Sequence, residues 1–435
     1  MKKSFINIAQ GLVLVALIAT TPSCKKDYTD PSRATEDKIF TTPTGLTGVT
    51  VGLQRVYSLG RGSSFYNSVS IDALVTKQVK VLNAGNLAEA QLETGGVTVD
   101  GTNTMLLGLW TTSNKIIYDA DKVIANAKNL TDKGYASGLI GHATIFKALS
   151  LGNMANFWTH VPDGNGDKVN FITATDAYNR AITAIDEALA AISATAISSA
   201  FTANIPAGLD IPNTLRALKA RYALYAGKYA DALAAANSVD LTKKSTLNFD
   251  AANLNTIFET CASNFNVYQS IDSTLGLPAG IQPDLADKRT SFYVGLSGAA
   301  AWRWVIKGFG GTSTAAFPVY LPGEVTLIKA EAYVRQSSPD LTSALTEVNK
   351  VVTKTAAADP LGVGAALPAL TGPYTADQLL TEIYKQRCIE MYMSGQKLVD
   401  MRRFGRATTE RTRSLMPFPF RERDNNPNTP ADPTF

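Results

Sequence analysis

The chain has 435 residues, with 41 basic and 37 acidic side chains and a formal net charge of +4. A hydrophobic content of 45% and a charged content of 18% are ordinary for a globular protein, and so small a net charge excludes a nucleic-acid-binding footprint. Three cysteines and two histidines are too few for a disulfide framework or a histidine-based catalytic centre.

The N-terminus has the pattern of a secretion signal. Two lysines precede an apolar core at 11–19, which is too short to span a bilayer, and small residues then lead to Cys24. This order predicts a lipoprotein signal peptide over 1–23, lipidation of Cys24 and attachment to a membrane through the acyl chains. The alternative is an ordinary cleaved signal with an incidental cysteine. Residues 24–40 are polar and predict a tether.

Helical periodicity begins after residue 103. Apolar residues recur every three or four positions over 116–127, 143–158 and 178–192, which predicts three helices. Thr173, followed by Asp176 three residues later, predicts the N-cap of the third.

Two helix pairs follow. Residues 213–240 carry two apolar stripes separated by Gly227, and alanines along both stripes predict closely packed helices joined as in a tetratricopeptide repeat. A second pair is predicted at 325–335 and 341–352, with Ser338 as the cap between them. A last helix within 381–406 is predicted to pack on the second pair, to hold an Arg387–Glu390 side-chain pair and to end at Gly395.

Between these helices lie stretches without a helical signal. They are rich in Gly, Ser, Thr, Asn and Pro, and they span 41–103, 241–320, 356–373 and the tail after residue 406, which we expect to be a solvated surface segment. The sequence therefore predicts a mostly α protein in which tetratricopeptide-like helix pairs carry long irregular insertions. We expect one such domain over 41–435, with its main insertions at about 241–320 and 356–373.

The search for catalytic chemistry gives no cluster of nucleophiles or paired carboxylates, and we expect no enzyme and no cofactor. The run from Asp163 to Asp167 begins as a calcium loop begins, but Lys168 stands where the sharp turn needs glycine. We therefore interpret it as an ordinary loop and predict no metal site. Cys261 and Cys388 could pair, although two buried free thiols are the expected state.

Aromatic side chains beside amides and charges are the main binding signal. Flat aromatic faces suit the C–H faces of sugars, and neighbouring amides or hydroxyls suit the sugar hydroxyls. Trp302 and Trp304 lie two apart in an extended segment, so their side chains share one side of it. Burial in the core is the competing interpretation for each candidate. The ligand-binding candidates are Trp302, Trp304, Trp110, Asn114, Tyr66 and Tyr320.

Two stretches near the C-terminus resemble the signature of the SusD/RagB family of cell-surface nutrient-binding lipoproteins. The first is 321–333 and the second is 381–406, whereas Gln386, Cys388, Ser394 and Lys397 depart from the family pattern, as in a divergent member. The matching residues are Glu324, Val325, Leu327 to Ala332, Arg387, Glu390, Gly395, Asp400, Arg402 and Arg403.

The resemblance implies a function that composition alone does not. It implies a lipid-anchored protein on the outer face of an outer membrane, which captures an oligosaccharide and delivers it to a SusC-like TonB-dependent transporter. Capture of a peptide and a tetratricopeptide-type scaffold that binds only protein remain alternatives. The identity of the ligand is left open.

Overall fold

A computed structural model describes residues 39–262, 266–298 and 303–434. The predicted signal peptide, Cys24, Trp302 and all but the last two residues of the tether lie outside the described residues. The helices, numbered in chain order, are α1 Pro43–Ser58, α2 Ser64–Val75, α3 Leu87–Thr94, α4 Thr104–Ala127, α5 Lys133–Phe157, α6 Ala174–Ala194, α7 Ser199–Thr202, α8 Ile211–Tyr225, α9 Tyr229–Asn237, α10 Thr256–Cys261, α11 Lys288–Tyr293, α12 Pro322–Arg335, α13 Leu341–Val352, α14 Ala376–Glu390, α15 Lys397–Arg403 and α16 Phe420–Asn425.

The strands of the described residues are short and form four two-stranded antiparallel sheets, in which β1 pairs with β5, β2 with β3, β4 with β8 and β6 with β7. They are β1 Val79–Val81, β2 His160–Pro162, β3 Phe171–Thr173, β4 Thr246–Leu247, β5 Tyr268–Ser270, β6 Val294–Leu296, β7 Trp304–Ile306 and β8 Phe317–Pro318. The predicted mostly α fold class is therefore confirmed. None of the described helices combines the length and the hydropathy that a membrane crossing needs.

The predicted helix pairs are present. Helix α8 begins at an Asp210 cap, and Gly227, with a φ of 74°, turns the chain into α9. Only a residue without a side chain adopts that left-handed conformation at little cost. Helix α6 begins where predicted, because the Thr173 hydroxyl accepts a hydrogen bond from the Asp176 amide at 3.1 Å. These caps position α4, α5, α6 and α8 as packed neighbours around the main hydrophobic core.

A second, smaller core lies between α12, α13 and α14, where Leu327, Val348 and Ile383 are fully buried. This packing confirms the predicted partnership of the two C-terminal stretches. The predicted Ser338 cap is wrong: α13 begins at Leu341, and its cap is Asp340, whose carboxylate accepts the Ser343 amide at 2.9 Å. An aspartate next to the first helical residue reaches the free amides directly.

Two details predicted for the last long helix are also wrong. Helix α14 ends at Glu390, whereas Gly395, with a φ of 78°, lies in the turn before α15. Arg387 does not pair with Glu390. It donates instead to Asp400 at 2.8 Å, because the turn folds α15 back against α14.

The stretch 41–103 was predicted as irregular, and it contains α1, α2 and α3 instead. All twelve residues of α2 are buried, so that helix has no polar face and no 3.6-residue stripe. The tail prediction is wrong as well, because Met416 and Phe418 are buried and Arg413 donates to the Val99 carbonyl at 3.0 Å. The tail is a packed strap across the N-terminal helices. By contrast, 356–373 contains only a short 3-10 turn, Ala356–Ala358, as predicted.

Candidate functional site

The insertion at 241–320 builds a surface from short elements that contact one another. Helix α10, strand β5 and the β6–β7 hairpin are neighbours, and β1 extends the same region through its pairing with β5. Irregular chain predominates here because Gly, Ser and Pro interrupt every run. The described part of the long insertion contains only two short helices, α10 and α11, and is otherwise made of short strands and irregular chain.

Among the described residues of the β6–β7 hairpin, Trp304 is the tryptophan, and it lies at the first position of β7. Val294 pairs with Ile306 and Leu296 pairs with Trp304, so these four side chains share one face of the hairpin. The first pair is buried and anchors the hairpin, whereas Leu296 is 51% exposed and Trp304 is only partly buried. The indole therefore combines a packed edge with a surface that solvent reaches.

A chain of aromatic rings lies beneath and beside the hairpin. The ring centroids of Phe292 and Phe309 are 5.3 Å apart, and those of Phe309 and Phe317 are 6.1 Å apart. Phe292 and Phe309 are partly exposed and Phe317 is buried, so the chain of rings runs from the surface into the core. Such edge-to-face contacts fix ring orientation, which makes this face rigid.

The polar groups of this surface are mainly cationic. Arg303, Lys307 and, on β1, Lys80 are exposed, and no ion pair joins any of them to a carboxylate of the described residues. On the second face of the hairpin the Lys307 side chain lies over Gly295, where a Cβ atom would be 3.0 Å from Lys307 Cδ. We call Leu296, Arg303, Trp304 and Lys307, together with Phe292 and Lys80, the hairpin surface.

Of the six predicted ligand-binding residues, Trp304 is the one that this surface presents, and Trp302 lies outside the described residues. Trp110 is 2% exposed, and its ring is T-shaped against Trp158 and Phe418, with centroids 4.9 and 5.7 Å away. The Trp110 indole N–H donates to Glu422 Oε2 at 3.0 Å. The tail therefore covers this ring completely.

The other three candidates point inward. The Asn114 amide donates to the Trp110 carbonyl at 3.0 Å, and the buried Tyr66 hydroxyl donates to Glu89 at 3.2 Å. The Tyr320 hydroxyl accepts from the Asn213 amide at 2.6 Å, and burial raises the pKa of Tyr320 to about 12. None of these groups shares a surface with Trp304, and their binding roles stay untested predictions.

Tyr320 also lines an internal cavity of about 50 Å³ between the helices. The buried Arg221–Glu324 ion pair, with an Nε–Oε1 distance of 2.6 Å, lies on the cavity wall together with Asn153. A polar space of this size holds a few water molecules. Its volume is therefore too small for a sugar ring.

The titratable groups of the interior are held in structural roles. His142 is fully buried, its Nε2–H donates to Gln54 Oε1 at 3.2 Å, and burial lowers its pKa to about 3. Cys261 and Cys388 are free and buried, as expected, and burial raises the pKa of the Cys388 thiol to about 12. In the part of the chain that the structure describes, no three side chains of His, Cys, Asp or Glu come together as metal ligands.

Sequence reasoning missed two features. Phe292 and Phe309 had no signal of their own, because single phenylalanines in an irregular stretch are as common in the core as at a surface. It also assigned no role to the paired arginines 402 and 403 beyond the family pattern. The sequence could have indicated this role, because two consecutive arginines in a short amphipathic segment need either carboxylate partners or an anionic ligand when they are buried.

Comparison with known proteins gives a family match for the C-terminal part of the chain and a fold match for most of it. Residues 303–431 match the model of the SusD family, and no curated protein matches the sequence. The chain is similar to the crystal structure of a SusD superfamily protein from Bacteroides thetaiotaomicron, with a TM-score of 0.69 and 15% identity over 90% of this chain and 100% of the other.

Two further structures are comparable. A SusD superfamily protein from Parabacteroides distasonis gives a TM-score of 0.69 at 16% identity, covering 93% of this chain and 100% of the other. A SusD-like carbohydrate binding protein from Bacteroides fragilis gives 0.66 at 15% identity, covering 84% and 87%. The resemblance predicted from the C-terminal stretches is confirmed by the family model, and the solved structures show that the fold is shared at low sequence identity.

Proposed function

We propose that this chain is a divergent member of the SusD family and a carbohydrate-binding protein that captures an oligosaccharide on its hairpin surface. The observation that carries the proposal is the partly exposed Trp304 at the start of β7, in a hairpin anchored by Val294 and Ile306, within a fold shared with a SusD-like carbohydrate binding protein. The sequence predicted the same tryptophan for the same chemistry.

The chemistry of the hairpin surface suits a sugar. The indole face of Trp304 offers an apolar platform for the C–H face of a pyranose ring, a contact that contributes about 0.5–1.5 kcal/mol beyond the buried area. Arg303 and Lys307 are donors without acceptors, since both are exposed and no described carboxylate pairs with them. Sugar hydroxyls are acceptors for such donors. Arg303 and Lys307 belong to the second face of the hairpin, so they would contact a different part of an oligosaccharide from the part that stacks on Trp304.

The test is binding of the chain without residues 1–23 to a panel of polysaccharides by affinity electrophoresis, followed by titration of any oligosaccharide that binds. Trp304→Ala should weaken the affinity severalfold or more, because it removes the stacking face. Val305→Ala is the matched control, since its side chain occupies the adjacent position on the second face of the same hairpin. A Trp304→Ala variant that binds like the wild type contradicts the proposal.

Two results would favour the alternatives. Retention of peptides, but of no polysaccharide, would assign the surface to peptide capture. Binding only to folded proteins, unaffected by Trp304→Ala, would favour the tetratricopeptide-type scaffold through the α8–α9 pair. Neither alternative explains why one hairpin of the insertion holds a partly exposed tryptophan on one face and two exposed cations on the other.

We further propose that the protein is anchored at the outer face of an outer membrane through Cys24 and delivers its ligand to a SusC-like TonB-dependent transporter. The order of charged, apolar and small residues before Cys24 supports the anchor, and membership of the SusD family supports the partner. Cys24→Ser should abolish palmitate labelling and release the protein from membranes. Co-purification of a barrel transporter with the wild-type chain would support the partner. A wild-type chain that is labelled with palmitate, but with which no transporter co-purifies, would support the anchor and contradict the partner.

A further inference from the structure

A second groove lies on the helical side of the molecule, away from the residues of the hairpin surface. It has a volume of about 330 Å³ and opens to solvent. We call it the arginine groove. Its polar lining is Arg402, Arg403, Thr159, Thr173 and Thr175, and Tyr178 and Tyr225 form part of its wall. Volumes of roughly 300–1,000 Å³ are typical of small-molecule sites.

The charges around the arginine groove do not balance. Six arginines and five carboxylates lie in or near the groove. The arginines are Arg335, Arg387, Arg402, Arg403, Arg406 and Arg411, of which Arg402 and Arg411 form no ion pair with a described carboxylate. The carboxylates are Glu331, Asp400, Glu410, the exposed Asp377 and Asp176, which accepts the Thr173 hydroxyl at 2.7 Å, so one positive charge is in excess. Asp72, which also faces Arg402, is balanced by the buried Lys397.

Arg402 lines the groove and is the cation there that has no carboxylate partner among the described residues. Its guanidinium donates to the Ser414 carbonyl at 2.9 Å and to the Asn156 carbonyl at 2.6 Å, and no carboxylate of the described residues forms an ion pair with it. Burial lowers the pKa of Arg402, which means that its charge is poorly solvated. A mostly buried guanidinium without an anion is a costly arrangement that a bound anion relieves.

The neighbouring lining adds donors on the same side. Arg403 is held by Glu331 at 2.7 Å and by Asp400 at 2.9 Å, but its Nε atom is buried without a hydrogen-bond partner among the described residues. Thr173 and Thr175 lie at the start of the 21-residue helix α6, where the Thr173 hydroxyl caps the Asp176 amide and donates to the Asp176 carboxylate. A carboxylate in the arginine groove would therefore meet two guanidiniums and the hydroxyl of Thr175.

We propose that the arginine groove binds the carboxylate of an acidic sugar unit. The guanidiniums of Arg402 and Arg403 would recognise the carboxylate, while the threonine hydroxyls would serve the ring hydroxyls. The volume suits a single sugar ring. The site is separate from the hairpin surface, because no residue lines both.

A purely structural role is the alternative to be tested. Asn156 lies in the last turn of α5, so Arg402 also acts as a cation at the C-terminus of that helix. Such a role requires no ligand. It predicts that Arg402 variants lose stability and that nothing binds in the groove.

The experiment is a ligand-observed NMR titration of the chain without residues 1–23 with glucuronate, with glucose and with inorganic sulfate. Glucuronate should bind, glucose should not, and sulfate should compete weakly. Arg402→Gln should weaken glucuronate binding at least tenfold, which corresponds to the loss of one charge-assisted hydrogen bond. Equal binding of glucose, equal binding of sulfate, or an unchanged affinity in the variant overturns the proposal.

A second variant keeps the test valid if Arg402→Gln fails to fold. Thr175→Trp fills the groove from an exposed position, so it should abolish binding with Arg402 intact. Thr183→Trp is its control, because Thr183 is exposed on the same helix and does not line the groove. Trp304→Ala should bind glucuronate like the wild type, which separates this proposal from the one on the hairpin surface. Binding that survives Thr175→Trp would place glucuronate elsewhere and overturn the inference.

Discussion

The C-terminal helices and the hairpin surface both contain arginines and aromatic rings, and they use them in opposite ways. In the helices, Arg387 is fully buried and bonded to Asp400, and Glu390 is held between Arg289 at 3.1 Å and Lys354 at 2.7 Å. At the hairpin, Arg303 and Lys307 are exposed and have no such partners among the described residues. Charge serves architecture in the first region and remains available for a ligand in the second.

This contrast explains why the family pattern lies where it does. A buried ion pair tolerates no change of one partner, since the other charge is left without compensation. Most of the charged residues that match the SusD pattern are members of these buried pairs, for example Glu324, Arg387 and Asp400. The pattern thus identifies the scaffold and carries little information about the ligand.

The largest expected effect is that of breaking one buried pair. Arg387→Ala leaves Asp400 with only the Arg403 contact, and it should lower the free energy of unfolding by about 3–5 kcal/mol. Arg303→Ala, at the hairpin, should change it by less than about 0.5 kcal/mol. Chemical denaturation of the two variants measures both values. Similar values would erase the distinction between the regions.

Two tryptophans give the next comparison. Trp110→Ala should cost about 3–5 kcal/mol, because the ring is enclosed by Trp158 and Phe418. The partly exposed Trp304 should cost clearly less when replaced by alanine, and the loss should appear in sugar affinity instead. Thermal melts and binding titrations on both variants are needed. A Trp304→Ala variant that melts as low as Trp110→Ala would make the hairpin tryptophan a core residue.

A glycine in α12 tests how rigid the buried network is. A Cβ atom on Gly323 would overlap the carboxylate of Glu390, whose movement Arg289 and Lys354 restrict. Gly323→Ala should therefore destabilise the protein by about 1–3 kcal/mol through overpacking. At the hairpin, Gly298→Ala meets open space and should be nearly neutral. Urea midpoints that do not differ would mean that Glu390 moves aside.

The smallest effect concerns pH. Asp72 is buried, and burial raises its pKa to about 6, although the Leu398 amide and Lys397 oppose the shift. A raised pKa in the folded state gives stability that is complete below the usual value near 3.8 and is lost as the pH rises through 6. The wild type should thus gain on the order of 1–2 kcal/mol over Asp72→Asn between pH 7 and pH 4. Unfolding titrations at both pH values test this, and a constant difference would contradict it.

Much of the helical scaffold could be predicted because its helices are amphipathic. Helices α4, α6 and α13 each bury one stripe and leave the other side more exposed, which gives a 3.6-residue period in the sequence. Helix α2 could not be found in this way, since it is buried on all sides. Hydrophobic periodicity in a sequence identifies a helix only when one of its faces is buried and the other is exposed.

The candidate site was predicted less completely, for a physical reason. Whether a tryptophan is a platform or part of the core depends on what covers it, and Glu422, which binds the indole of Trp110, is 312 residues away in the chain. The prediction that Trp304 is a ligand-binding candidate rested only on its position in an extended segment, two residues after Trp302. That Arg402 has no ion pair could be recognised only from the structure, in which Glu331, Asp400 and Glu410 all pair with other arginines.

The packed tail has a consequence for biosynthesis. The Thr412 amide donates to the Val75 carbonyl, and the Leu398 amide donates to Asp72, so the first helices receive hydrogen bonds from residues more than 300 positions later. Synthesis proceeds from the N-terminus, and contacts at such separation form last and slowly. Helix α2 packs on α1, α3 and α4, which are made early, but its side that contacts α15 and the tail stays uncovered until nearly the whole chain has been made. A premature stop within the last few dozen codons would leave an apolar segment that proteases and chaperones recognise as unfinished.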